Sequence, residues 1–204
     1  MIMSYKYEGK TREEVIDKIN NELKLSLEEL YIKEKQQDIG LFKTKKYQIT
    51  CYKKEDIKNY IREYINTISK GMNIEIKSEI RENNDNIDII LISDNNSILI
   101  GKDGKTLKSL QILIRQSLLI QTNINIKINL DVANYKAKKI KNMKYEVKKI
   151  AKDVLKSHID AKLDPMNSYE RRIVHNMISE YENLQTESIG EEPNRYVLIK
   201  YKED

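Results

Sequence analysis

The chain has 204 residues, 34% of them charged, with 6 glycines, 2 prolines and 1 cysteine. One cysteine excludes an internal disulfide and a cysteine-based zinc site, and so little glycine and proline argues for long helices and short loops rather than disorder. The N-terminus carries no signal-like apolar core and no stretch is long enough to span a membrane, so a soluble, cytoplasmic protein is expected.

The placement of charge says more than the net value of +5. Residues 132–165 hold 10 basic and 4 acidic groups, a net +6, whereas residues 55–131 hold 10 and 11 (−1) and residues 166–204 hold 5 and 8 (−3). A localised basic stripe is the footprint of a nucleic-acid partner, and equally the solvated face of a surface helix.

In chain order, MSYKYE at 3–8 reads as a strand, and Thr11 with Glu14 as the capping box of a helix bearing Val15, Ile16, Ile19, Leu23 and Leu25. LEELYIKEKQ follows, then Gly40 and Leu41, then KKYQITCY, which alternates as a strand does. Residues 55–70 predict an amphipathic helix with Ile57, Tyr60, Ile61, Tyr64, Ile65 and Ile68 on one side and Gly71 as its C′ residue. Strands are expected at 73–80 and 86–93, joined by a turn in RENNDN, and a further strand at 124–132. A short helix runs into Gly101, and a longer one covers 104–120. Residues 133–163 predict a lysine-rich helix ended by Pro165. Ser168 is the expected N-cap of a helix to about 182, and strands at 184–190 and 195–201 close the chain. The class is α+β, with three small domains in series: 1–54, 55–132 and 133–204.

Gly101 and Gly104 interrupt a helical stretch, SILIGKDGKTLKSL. Glycine in a helix interior costs about 1 kcal/mol relative to alanine, so a pair marks a sharp turn or a close approach to the backbone. The order helix, strand, strand, helix, Gly-Lys-Asp-Gly, helix, strand resembles a K-homology (KH) domain of the bacterial, type II arrangement. In that family a G-x-x-G loop clamps the backbone of about four single-stranded nucleotides. The resemblance implies an RNA-binding set of Gly101, Lys102, Asp103, Gly104 and Lys105, with Ile98, Leu99 and Ile100 on one side and Ile90 and Ile92 on the other as an apolar floor for bases. Asp103 places a carboxylate where phosphate would approach. A helix–loop–helix kept for packing is the plainer alternative.

PMNSYERRIVHNMISEY carries Arg171 and His175 four apart, and TESIGEEPNRYVLI adds Thr186, Ser188, Gly190, Pro193 and Arg195. Together they resemble the R-three-H domain, associated with single-stranded nucleic acid. The resemblance implies that Arg171, Arg172, His175 and Arg195 face phosphate. The plainer alternative pairs Arg171 with Glu170 or Glu187 and packs His175 between helix and sheet.

The N-terminal strand, TREEVIDKINNELKLSLEELYI and IGLF extend the likeness to the whole chain, which resembles the Jag (SpoIIIJ-associated, KhpB) family. In this chain KTKKYQIT follows IGLF directly, and the charged linker that many family members carry before the KH domain is nearly absent. The resemblance implies an RNA chaperone or post-transcriptional regulator that binds single-stranded RNA, with single-stranded DNA as a further ligand class. It implies a small KH-only partner (KhpA-like) or self-association, a link to a membrane insertase without insertion in the membrane, and roles in cell-envelope homeostasis, elongation and cell shape. With only His158, His175 and Cys51 as soft ligands, and no phosphate-binding or nucleophile motif, no catalytic residue, metal or cofactor is expected. A second reading is a protein-interaction scaffold whose KH fold no longer binds RNA, motivated by Asp103 and the net −1 of residues 55–131.

Overall fold

A computed structural model describes residues 1–39, 44–83 and 86–202. The fold is α+β, with three-stranded sheets arranged along the chain, and it divides into two compact units, Met1–Ala133 and Asn134–Asp204.

In the first unit, β1 (Tyr5–Gly9) and β2 (Leu30–Ile39) flank β3 (Thr44–Lys53) in an antiparallel sheet. Helix α1 (Arg12–Leu23) covers it, and Tyr7, Val15, Ile19, Leu30, Ile49 and Cys51 form the shared core. Thr11 accepts from the Glu14 N–H at 3.2 Å, but the Glu14 carboxylate reaches back to the Lys10 N–H at 2.8 Å, so the expected box closes one residue early. Lys24 turns left-handed after the helix, leaving Leu25 outside it. The LEELYIKEKQ segment becomes a single 3₁₀ turn, Leu27–Glu29, followed by β2. Gly40 and Leu41 lie outside the described residues.

Helix α2 (Lys54–Met72) follows β3 directly and buries Ile57, Ile61 and Ile65. Gly71 lies inside it, and the left-handed terminal position belongs to Asn73 (φ 52°), whose N–H reaches the carbonyls of Lys70 and Ser69. Asparagine tolerates that conformation because its short polar side chain bonds locally. β4 (Ile76–Asn83) starts later and ends later than expected, because its ladder to β5 (Asn86–Ser93) runs out to Asn83–Asn86. Of the expected turn, residues 84 and 85 lie outside the described residues.

β6 (Lys127–Val132) pairs parallel to β5, which requires a crossover connection. Helices α3 (Asn96–Ile100) and α4 (Lys105–Thr122) supply it. Ile87, Ile89 and Leu91 of β5 and Leu99, Leu107, Leu110, Ile114 and Leu118 of the two helices are all buried. Each such side chain contributes about 1.5–3 kcal/mol when fully buried. Tyr60 and Tyr64 stack at 6.2 Å on α2, and the Tyr60 hydroxyl bonds the Ser117 hydroxyl of α4.

In the second unit, α5 (Tyr135–Ser157) and α6 (Ser168–Ile178) pack on the sheet β7 (Ala161–Lys162), β9 (Tyr196–Tyr201), β8 (Leu184–Ile189). Val147, Ala151, Val154, Leu163, Val174, Ile178, Leu184, Val197 and Ile199 are its core. Helix α5 ends well before Pro165. His158 turns left-handed (φ 57°), and Ala161 and Lys162 join β9, with the Leu163 N–H donating to the Val197 carbonyl at 3.0 Å. Sheet pairing overrides the apolar period that continues through this segment. The N-cap of α6 is Asn167 rather than Ser168: its side chain accepts from the Glu170 N–H and the Glu170 carboxylate accepts from the Asn167 N–H, both at 3.0 Å.

Candidate nucleic-acid interface

The GKDG segment is built on backbone that side chains resist. Gly101 has φ 67° and ψ −178°, a region open in practice only to glycine. A Cβ there would meet Thr106 Oγ1 at 2.1 Å, so the threonine hydroxyl fills the space that glycine leaves. A 3₁₀ turn, Lys102–Gly104, follows, with Asp103 (φ 56°) and Gly104 (φ 83°) both left-handed. The Gly101 N–H donates to the Ser97 carbonyl at 2.8 Å and the Gly104 N–H to the Gly101 carbonyl at 3.3 Å. Lys102, Asp103 and Lys105 are exposed around this turn. The result is a tight turn on two half-buried glycines, flanked by two exposed ammonium groups, at the start of an 18-residue helix whose dipole favours an anion.

The apolar residues expected to form the floor separate into two sets. Leu99 is fully buried in the core and leaves the expected floor. Ile98 is 43% exposed, Ile92 is 54% exposed, and Ile100 and Ile90 are half-buried. Alternation along β5 explains the strand residues: Ile89 and Leu91 take the core face, so Ile90 and Ile92 take the other.

In the second unit, Arg171 is only 8% exposed. Its Nη1 donates to the Met166 carbonyl at 2.7 Å and to Glu192 Oε1 at 2.8 Å. The partner is thus Glu192 and neither Glu170 nor Glu187; the latter receives Lys200 at 2.6 Å. His175, one turn on, spans two hydroxyls of β8: Nδ1 lies 2.7 Å from Thr186 Oγ1 and Nε2 lies 2.8 Å from Ser188 Oγ. Burial, helped by the Arg171 charge, lowers the His175 pKa and favours neutral imidazole, in which one ring nitrogen donates and the other accepts. Arg195 is half-buried, its carbonyl accepts from the Met166 N–H at 3.0 Å, and its Nε is buried without an acceptor among the described residues. Arg172 alone of the four is exposed. Arg171 and Arg195 therefore grip the same Met166 segment, and His175 locks α6 to β8.

The hydroxyl partners Thr186 and Ser188 stand in the T-x-S run, two apart on one strand face; their bonds to His175 were not legible from spacing. Thr106 was missed as well, and its signal is its place in GKDGKT, two residues beyond the second glycine. Among the described residues, no group of His, Cys, Asp and Glu could hold a metal ion, and no helix is long and apolar enough to cross a membrane.

Two domain families match this chain: the KhpA/KhpB KH domain over residues 58–132 and the R-three-H domain over residues 141–201. An RNA-binding protein KhpB from Clostridium symbiosum is 33% identical over 158 residues, covering 76% of this chain and 71% of the relative. The RNA-binding protein KhpB of Bacillus subtilis (strain 168) is 28% identical over 166 residues, 80% of each chain. That of Streptococcus pneumoniae serotype 2 is 28% identical over 163 residues, 80% of this chain but 48% of the relative. The matched domains and named relatives are those of a non-enzymatic binding protein. With a glycine-built loop in a KH domain, an Arg–His pair in an R-three-H domain and this likeness over most of its length, the chain belongs to the KhpB family.

Proposed function

We propose that this protein binds single-stranded RNA in the cytoplasm, with single-stranded DNA as a weaker alternative, and acts as an RNA chaperone or post-transcriptional regulator. The observation that carries this reading is the GKDG corner: Gly101 and Gly104 at positive φ, with exposed Lys102 and Lys105 beside it and exposed Ile92 and Ile98 nearby in sequence. A phosphate can approach that backbone closely, lysine supplies the counter-charge, and the apolar side chains suit base faces. Residues 1–54, 55–132 and 133–204 act as successive modules, the second and third of them on RNA. In the third, Arg171 and His175 shape the α6–β8 surface, and Arg172 is the arginine presented to phosphate.

A protein partner is the second reading, and Ile112, Leu113 and Ile120, exposed on α4, support it. They suit a small KH-only protein of the KhpA kind or a second copy of this chain. The scaffold alternative rests on Asp103 and the net −1 of residues 55–131, whereas the link to a membrane insertase and the roles in envelope homeostasis, elongation and cell shape rest on the family resemblance.

The test is the anisotropy of a short fluorescent single-stranded RNA with wild type, Lys102→Asp and Arg171→Ala. Lys102→Asp is expected to lose most binding without loss of thermal stability, because Lys102 is exposed. Arg171→Ala is expected to lose stability as well, since it abandons the Met166 carbonyl and Glu192. Wild-type protein that binds no RNA would transfer the reading to the scaffold.

A further inference from the structure

Along the first half of α5, Lys136, Ala137, Ile140, Lys141 and Lys144 form one wall of an open groove of about 640 Å³, and Tyr169 of α6 forms another, a size in the range of small-ligand sites. Tyr169 is 66% exposed. It lies two residues from Arg171, about 200° around the helix, and three residues from Arg172, on the same side as that exposed arginine. The groove is therefore separate from the Arg171–His175 face.

We propose that this groove is a nucleotide subsite in which the Tyr169 ring stacks on a base and Lys141 and Lys144 hold flanking phosphates; the proposal rests on the RNA-binding reading above. Its chemistry alternates in the way a single strand does, with a flat aromatic face and a short aliphatic floor, Ala137 and Ile140, between ammonium groups. Lys141 and Lys144 are three residues apart, so both line the groove from one side of the helix. Among the described residues, no carboxylate lines the groove. The acid beside Tyr169, Glu170, is only 5% exposed, and both of its oxygens are engaged, one by Lys139 at 2.8 Å and the other by the Asn167 N–H. The same ion pair ties α5 to the start of α6 and so holds the two walls in place. Residues 132–165 concentrate a charge of +6 on this helix and its exit, which favours a polyanion over an apolar peptide.

The experiment measures the binding of a fluorescein-labelled oligo(A) RNA to the full chain, to Tyr169→Ala, to Tyr169→Phe and to a Lys141→Gln, Lys144→Gln double variant, over a salt series. Loss of a stacked base is expected to weaken Tyr169→Ala about 10-fold, while Tyr169→Phe, which keeps the ring, binds as wild type does. The double variant is expected to bind more weakly, with a log Kd against log salt slope shallower by about 1.4, at about 0.7 per phosphate. Melting temperatures equal to wild type would confirm that exposed positions were changed. If the full chain binds RNA and Tyr169→Ala binds equally well, the subsite is overturned while the RNA-binding reading stands. Unchanged affinity in every variant would assign the groove to a protein ligand and also overturn it. A full chain that does not bind oligo(A) or any other single strand would overturn both.

Discussion

At Gly101 the conformation and the neighbour agree. Its backbone is in the glycine-only region and a Cβ would strike Thr106 Oγ1 at 2.1 Å. Gly101→Ala is expected to cost about 1–3 kcal/mol, read as a fall in the urea midpoint. Gly71 is the control: it sits inside α2 with nothing within 4 Å of an added Cβ. Gly71→Ala is expected to raise stability by about 0.5–1 kcal/mol, through helix propensity and a less entropic unfolded chain. His175 makes a second prediction. Its folded pKa lies below the ordinary 6.5, first through burial and then through Arg171. The unfolded chain therefore binds the proton more readily, and stability present above pH 6.5 is lost as pH falls through the lower folded value. Unfolding at pH 7.5 and 5.5 should show this loss, and an NMR titration of His175 should give a midpoint below 6.5.

At the scale of elements, periodicity predicted most helices and strands; β2 had no expected type, and the other errors fell at element ends. β5 runs over the expected residues because a core strand is bounded by its own alternation. Helix α5 stops early because Ala161 and Lys162 gain ladder bonds to β9, a partner more than thirty residues away. The start of α6 was misplaced by one residue because Asn167 and Ser168 are both good caps. Which one caps depends on the carboxylate three residues on, and Glu170 completes the box with Asn167. Asn167→Ala is expected to lower stability by about 1 kcal/mol, and Ser168→Ala by much less. Equal losses in thermal melts would contradict the assignment. Gly71 was the expected helix terminus, yet Asn73 takes the left-handed turn, because α2 continues one residue past the glycine before its chain must turn into β4.

At the scale of the molecule, charge is partitioned along the chain, with lysines on α5 and exposed Lys102 and Lys105 at the loop. Three lysine–phosphate contacts on a single strand give a log–log salt slope near −2, so affinity is expected to fall about 20-fold over a fourfold rise in salt. A flat response in the anisotropy titration would contradict a phosphate-led interface. The sequence by itself determined most element types, the glycine corner and the identity of the Arg–His pair, because those depend on local period and on residues a few positions apart. Only tertiary structure decided what the pair contacts. Arg171 reaches Glu192, 21 residues away, and His175 reaches Thr186 and Ser188, 11 and 13 residues away. It also decided that Leu99 leaves the loop surface for the core and that Tyr169 faces the lysines of α5. Such pairings arise where helix packing and strand register bring distant residues together, and no local pattern in the chain encodes that distance.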